Sequence, residues 1–347
     1  MTESKTKPRR WVTIKDVAAA AGVSPMTVSN VINKRHKFVS DSTRKTVERE
    51  IARLNYRVQQ NARGLRVARR RAVGIIIVDE TQSFLSDHFN SHIVAGLSNV
   101  LSQNDHALSI QGISLDHFEK SFAVRNFSVD GFCIILSGKT EDRRKVIDKL
   151  VEMDQPVVLF QEPRIESDAD ICIIRQDDTL GGQALADHFA ARRLRRYLIL
   201  RPATDWPAIE ARIESFTQQI TRLVPDATID IIHSANEDFD SVREAFAAYL
   251  EDHELPEAIF GANDRLAIGA MALLQTRGIA IPGQVAIAGF NGFESRRYAQ
   301  PLITTVISPA YALGETAGKV LLERFSSDRF KEKEIVLPVY LEPGATT

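Results

Sequence analysis

Residues 12–33 read Val12-Thr-Ile-Lys-Asp-Val-Ala-Ala-Ala-Ala-Gly22-Val-Ser-Pro-Met-Thr-Val-Ser-Asn-Val-Ile-Asn33. Ile14, Val17, Ala18 and Ala21 fall at i, i+3, i+4 and i+7, one apolar face of a short helix. Thr13 stands as its N-cap, and Asp16 lies three residues on, where a carboxylate suits the positive end of the helix. Gly22 ends the helix, because glycine adopts φ > 0 there without steric cost. Ser24 caps a second helix, and Pro25 opens it at the position where a missing N–H leaves nothing unpaired. In that second helix Val28, Val31 and Ile32 point inward. Pro25, Met26, Ser29, Asn30 and Asn33 point outward, with Thr27 at the edge. Two short helices on a tight glycine turn form a helix-turn-helix, the arrangement that lays its second helix in the major groove of DNA. A third helix, capped near Ser40 or Asp41, closes a small core through Val47, Ile51 and Leu54.

The charge follows this segment. Residues 1–71 carry 18 Lys/Arg against 5 Asp/Glu, and the remaining chain carries 26 against 40. The near-zero total of −1 therefore conceals a basic head on an acidic body, the footprint of a polyanion-binding module. A face of small polar residues on such a head suits base edges and phosphates.

The run through Ile14-Lys-Asp-Val-Ala, Gly22-Val-Ser, Thr27-Val-Ser, Val31-Ile-Asn, Thr43-Arg44 and Leu54-Asn-Tyr56 resembles the lactose/galactose-repressor family of bacterial transcription regulators. The resemblance implies that Pro25, Met26 and Asn30 occupy the main base-reading positions. Thr13, Ser24, Thr27, Ser29, Asn33 and Tyr56 stand beside them at the DNA. Proline and methionine read by shape and by contact with thymine methyls, while Asn30 can pair with adenine.

Residues 57–71 hold six arginines and no acid. The resemblance implies a hinge helix here, with Leu65 wedged between base steps of the minor groove behind Ala62 and Arg63. Val58 and Gln59 depart from the family's usual Pro-Asn. Gly64 weakens a helix by ~1 kcal/mol relative to alanine, so the hinge is expected to fold only on DNA.

From Ala72 the pattern becomes short β-branched runs alternating with helical stretches. Strands are expected at 73–78, 107–111, 131–136, 157–161, 171–175, 197–200, 228–232, 258–261, 285–289 and 303–307. Near-continuous apolar strands between helices indicate parallel sheets covered on both faces. The units are too many for one sheet, and a break falls at Asp177-Asp178. Two doubly wound lobes follow, with ligand in the crevice at the strand ends. Val129-Asp-Gly131, Ala262-Asn-Asp264, Ile281-Pro282, residues 285–290, Thr304-Thr-Val306 and Pro309 resemble the family's periplasmic-binding-protein-like type I body.

The fold class is thus an all-α helix-turn-helix head joined to an α/β body. The expected divisions are 1–56 for the head, 57–71 for the hinge and 72–347 for the body. The first lobe takes 72–176 and 309–328, and the second takes 177–308 and 329–347. The resemblance also implies three crossings between lobes, with the helix after Pro309 returning to the first. By the same carry-over the effector pocket contains Phe84 or Leu85, Arg212, Asn263 or Asp264, and Asn291, with Trp206 as a packing platform. These residues suit a polyhydroxylated ligand. Asn291 replaces an aspartate usual in the family and Gly292 an acid or amide, which leaves Arg212 in excess, with Arg201 and Arg265 near. An acidic effector, a sugar acid or sugar phosphate, is expected on that ground.

Other classes fit less well. Cys133 and Cys172 are too few for a disulfide framework or a zinc cluster. His88 and His92 stand at i, i+4 without a third ligand, so no metal is expected. No glycine-rich cofactor motif or Walker motif occurs, and no acid–base pair is poised for catalysis, so no cofactor and no enzymatic activity are expected. The N-terminus has no apolar leader run, and no stretch approaches the ~18 apolar residues of a membrane span. A solute-binding module of transport would leave the basic head unexplained. The expectation is a cytoplasmic, homodimeric repressor of carbohydrate-related genes, binding a palindromic double-stranded operator under the control of a small-molecule effector. The chain shows no C-terminal heptad helix before Pro343-Gly-Ala-Thr-Thr347, so a dimer rather than a tetramer is expected.

Overall fold

In the computed structural model, residues 12–33, 35–54, 56, 70–79, 84–121, 124, 129–153, 155–166 and 168–347 are described. The chain divides into two units, Met1–Arg70 and Arg71–Thr347.

The first unit is built from α1 (Ile14–Ala21), α2 (Pro25–Ile32) and α3 (Asp41–Arg53), with a 3-10 turn at His36–Phe38 between the last two. Its local signals are met by local bonds. The Asp16 carboxylate accepts from the Thr13 backbone N–H at 2.7 Å, and Thr13 Oγ1 accepts in return from the Asp16 N–H, a reciprocal capping box. Gly22 turns the chain at φ 64°. Ser24 Oγ accepts from the Thr27 N–H at 3.1 Å to start α2, and Ser40 does the same for α3. Val17, Ala18, Val28, Val31 and Val47 are buried at the centre, ringed by Ile14, Ile32, Ile51, Leu54 and Tyr56.

The second unit alternates strand and helix. Its first part holds β1 (Ala72–Val78), α4 (His88–Gln103), β2 (Ala107–Ile113), β3 (Gly131–Leu136), α5 (Thr140–Glu152), β4 (Val157–Phe160) and β5 (Ile171–Gln176). There follow α6 (Asp178–Ala190), β6 (Arg196–Pro202), α7 (Pro207–Leu223), β7 (Thr228–Ser234), α8 (Phe239–Asp252), β8 (Ala258–Gly261), α9 (Asp264–Thr276), β9 (Ala286–Asn291) and β10 (Thr304–Ile307). The chain ends with α10 (Ala310–Arg324), β11 (Glu334–Leu337) and β12 (Tyr340–Glu342).

These strands form two six-stranded sheets, in the orders β11-β5-β4-β3-β1-β2 and β12-β10-β9-β8-β6-β7. Every neighbouring pair is parallel except β12, which runs antiparallel to β10. Each sheet is covered on both faces, which is why β1, β3, β4 and β8 are buried almost without interruption. Phe189, Phe216, Phe246, Phe260 and Phe290 fill the second core. In the first, Ile75, Ile77 and Cys133 face α4 and α10, while Ile76, Phe132 and Ile134 face α5.

The ten strands expected from the sequence form with ends moved by at most two residues, and β11 and β12 are additional. The crossings fall at 176–178, 307–310 and 337–340. The last corrects the expected division, which put everything from 329 in the second lobe. Residues 334–337 instead pair with β5, because Ile335 and Leu337 pack on the first core. The helix after Pro309 does lie on the first lobe, where α10 crosses α4 at unusually close range. A methyl group on Gly314 would stand 2.1 Å from the Ile93 carbonyl oxygen, and one on Gly96 would stand 2.1 Å from that of Tyr311. Only glycine allows the two backbones to meet so closely.

Candidate functional site

The outward face of α2 carries the candidate nucleic-acid contacts. Ser24, Pro25 and Met26 are exposed, Met26 by 60%, while Thr27, Ser29 and Asn30 are half-buried. Several hydroxyls there already serve the fold. Thr13 Oγ1 also donates to Asp16, Ser24 and Thr27 bond to each other at 3.0 Å, and Asn33 Nδ2 donates to the Ser29 carbonyl at 2.7 Å. Such groups hold α2 at fixed orientation and leave Met26 and Asn30 to face outward. Tyr56 packs on the head core, where burial raises its hydroxyl pKa. Phe38, which the sequence did not single out, is 74% exposed. Ala62, Arg63, Leu65 and the expected hinge lie outside the described residues.

In the second unit a cleft lies between the lobes. Its wall is made where the strands end. Asp87, Phe89 and Asn90 follow β1, Ile135 and Leu136 close β3, and Gln161 follows β4. From the other side come Trp206 after β6, Glu237 after β7, Asn263 after β8 and Asn291 at the end of β9, with Ile209 and Arg212 on α7. Carboxyl ends of parallel strands at the point where strand order reverses are the usual ligand crevice of such sheets. Trp206 packs against the cores of both lobes, and Gly138 N–H donates to the Asp205 carbonyl across the gap at 2.8 Å. Gln161 and Asn291 adopt φ of 60° and 102°, strained backbone of the kind that gathers at binding sites.

Arg212 is 3% exposed, and each of its side-chain nitrogens donates to the protein. Its Nε and Nη2 donate to Asp178 Oδ1 at 3.1 and 2.8 Å, its Nη1 donates to the Ala262 carbonyl at 2.7 Å, and its guanidinium lies 3.9 Å over the Phe290 ring. Asp178, on the first turn of α6, also accepts from Gln161 Nε2 at 3.0 Å and Gln176 Nε2 at 2.8 Å. Ser308 Oγ donates to Gln176 Oε1 at 2.6 Å. This buried network joins the ends of β4, β5 and β10 to α7, at two of the crossings. Burial raises the Asp178 pKa against the pull of Arg212 and these amides.

Two carboxylates, Asp87 and Glu237, also line the cleft. Asp87 Oδ1 caps α4 by accepting from the Phe89 N–H at 2.9 Å, and burial raises its pKa. Glu237 Oε2 accepts from Asn263 Nδ2 at 2.9 Å. Burial and the Asp87 charge push the Glu237 pKa up to about 7.

Of the residues expected in the pocket, Trp206, Arg212, Asn263 and Asn291 line the cleft. Three others lie elsewhere. The Phe84 ring covers Gly112 of β2, and Leu85 is 42% exposed. Asp264 is buried behind β9 and β10, where it accepts from Thr305 Oγ1 at 2.6 Å and Gly292 N–H at 2.7 Å, and burial raises its pKa to about 7. Asp87, Asn90, Gln161 and Glu237 went unforeseen, since isolated polar residues after strands carry no motif. The expected positive pocket is also corrected. Asp178 neutralises Arg212, and Arg201 is held by Asp205 and Glu210; Arg265 acts on the Asp87 and Glu237 carboxylates, so the lining carries no excess of positive charge. The histidine pair serves packing, with His92 stacked on Phe293 at 4.7 Å.

Residues 13–59 match the lacI family of bacterial regulatory proteins, and residues 186–347 match a periplasmic binding protein-like domain. The chain is 29% identical over 326 residues to the HTH-type transcriptional repressor PurR of Vibrio atlanticus, spanning 93% of this chain and 94% of that one. It is 26% identical over 341 residues to the ribose operon repressor of Escherichia coli, spanning 96% and 99%. The lac repressor dimer bound to operator and the anti-inducer ONPF shares the fold, with a TM-score of 0.83 at 24% identity over 97% of this chain and 99% of that one.

Proposed function

The chain belongs to the lacI family of bacterial regulatory proteins, and on that premise we propose that it represses transcription as a homodimer whose heads read a palindromic operator. It is a DNA-binding regulator controlled by a ligand, not an enzyme. The observation that carries the reading of the head is the outward face of α2, presented by a capped helix on a strongly basic segment. Asn30 pairs with adenine, Met26 and Pro25 meet thymine methyls, and Thr13, Ser24, Thr27, Ser29, Asn33 and Tyr56 serve the phosphates or hold the helix on them. Leu65, behind Ala62 and Arg63, opens the minor groove.

The interlobe cleft takes the effector. Amide and carboxylate groups at strand ends beside the Trp206 ring suit a polyhydroxylated, carbohydrate-derived molecule. Ligand in the cleft changes the lobe angle and so the dimer's hold on DNA, a coupling of about 1–3 kcal/mol. The setting of this work is the cytoplasm, where the operator lies. Among the described residues no helix is long and apolar enough to cross a membrane.

The test is a mobility-shift screen of genomic fragments with the full chain, followed by light scattering of the bound species. Specific retention of a palindromic fragment by a dimer is expected. Asn30→Ala should weaken that complex by roughly 10–100-fold and leave nonspecific binding unchanged. Equal retention of every fragment would defeat the reading.

A further inference from the structure

The chemistry of the cleft narrows the class of effector, an inference that rests on the cleft being the effector site. The nitrogens of Arg212, Gln161 and Asn263 each already donate to a protein acceptor, and the oxygens of Gln161 and Asn263 already accept from the Gln176 and Leu266 N–H groups. Two buried amide oxygens of the lining, by contrast, have no partner. Asn90 is 1% exposed, and its Nδ2 donates to the Phe84 carbonyl, which fixes the amide's orientation and leaves Oδ1 buried with no partner. Asn291 Oδ1 is likewise buried without a partner. Beside them stand the carboxylates of Asp87, from the first lobe, and Glu237, from the second. Among the described residues neither carboxylate forms an ion pair within 4.0 Å.

We propose that the effector presents a protonated amine to Asp87 and Glu237, with its hydroxyl or N–H donors on Asn90 Oδ1 and Asn291 Oδ1. A cation between the lobes relieves the repulsion of two carboxylates, which a neutral hydroxyl does only in part. An anion would add negative charge beside two carboxylates that Arg265 offsets only in part, in a site where Arg212 is already matched by Asp178. The charged groups acting on Glu237 are Asp87, Asp79, Arg265 and, by hydrogen bond, Asn263. Its pKa of about 7 makes binding pH-dependent, because the amine requires the ionised form. Affinity falls about tenfold between pH 7.5 and 6 as Glu237 takes up a proton.

The experiment is a thermal-shift and calorimetric panel on the full chain at pH 7.5. Its probes are glucosamine, galactosamine, putrescine and agmatine, set against glucose, galactose, gluconate and glucose 6-phosphate. At least one amine is expected to bind at least about tenfold tighter than its neutral or acidic counterpart, with proton release seen as a buffer-dependent heat. E237Q and D87N should each weaken it about tenfold or more, and E237Q should abolish the pH dependence. Both substitutions keep shape and hydrogen-bonding capacity, and unliganded melting temperatures at or above that of the parent show that the fold is intact. Hits confined to neutral or anionic probes, no amine bound, or an affinity indifferent to both substitutions overturns the proposal. A neutral sugar that alters DNA binding would overturn it while leaving the regulatory reading intact. An amine that binds without altering DNA affinity would do the reverse.

Discussion

The head and the cleft handle polar groups in opposite ways. On the head, side chains of the reading face bond to residues three or four positions away, as in Ser24 to Thr27 and Asn33 to Ser29, and the face remains open to water. In the cleft, Arg212 reaches back 34 positions to Asp178 and Ser308 reaches 132 to Gln176, with nearly every partner buried. Charge differs too, being positive on the segment that carries the head and without positive excess in the cleft. A solvated cationic face gains affinity from counterion release spread over many charges. Water-poor carboxylates and amides hold one another in place, so that removing one leaves another unsatisfied.

The sharpest contrast concerns salt. Raising it from about 50 to 200 mM should weaken DNA binding on the order of a thousandfold, whereas affinity for a cleft ligand should change less than about fivefold. Parallel titrations by fluorescence anisotropy and calorimetry decide this, and similar slopes would erase the distinction.

Next in size, Arg212→Ala should destabilise the body by about 3–5 kcal/mol in urea unfolding, because Asp178 is left buried and unpaired. A loss below about 1 kcal/mol would mean that the network is solvated.

Stability should also depend on pH in an unusual direction. Asp264 and Glu237 titrate near 7 in the folded chain, against about 4 in the unfolded one. Between those values the folded state binds more protons, so stability falls as pH rises from about 4.5 to 7 and levels off above that. His188, whose burial lowers its pKa, acts in the opposite sense. Urea midpoints of the parent and Asp264→Asn at several pH values separate them, since the variant should show a flatter fall.

The smallest effect belongs to the head. Ser24→Ala removes the α2 cap and should cost about 1 kcal/mol of head stability, readable by hydrogen exchange of 25–32. A loss as large as that for Arg212 would show the head to be as tightly coupled as the cleft.

The same contrast explains what could be read in advance. The caps at Thr13 and Ser24, the turn at Gly22 and the buried face of Val17, Val28 and Val47 follow from spacing, because helix signals act within one turn. The strands after Ala72 were legible as apolar runs. The edge strand at 334–337 was not, since its short run differs little from a loop until the neighbouring core receives Ile335 and Leu337. In the cleft, four residues carried over from the resemblance line the walls, while Asp87, Asn90, Gln161 and Glu237 are lone polar residues with no periodicity. The charge of the site was misread for one reason. Arg212 was visible in the sequence, whereas its pairing with Asp178 depends on how α6 lies against α7.

The sequence by itself determined a basic helix-turn-helix head and a body of parallel α/β lobes, because those properties are written in local spacing and composition, and the class of regulator followed from the resemblance of its motifs to a known family. The tertiary structure alone decided which side chains converge between the lobes, that Arg212 is already paired with Asp178 and that the amide oxygens of Asn90 and Asn291 are left without partners. Such facts arise where strands distant in the chain end together, and there burial makes each pairing strong enough to set the chemistry of the site.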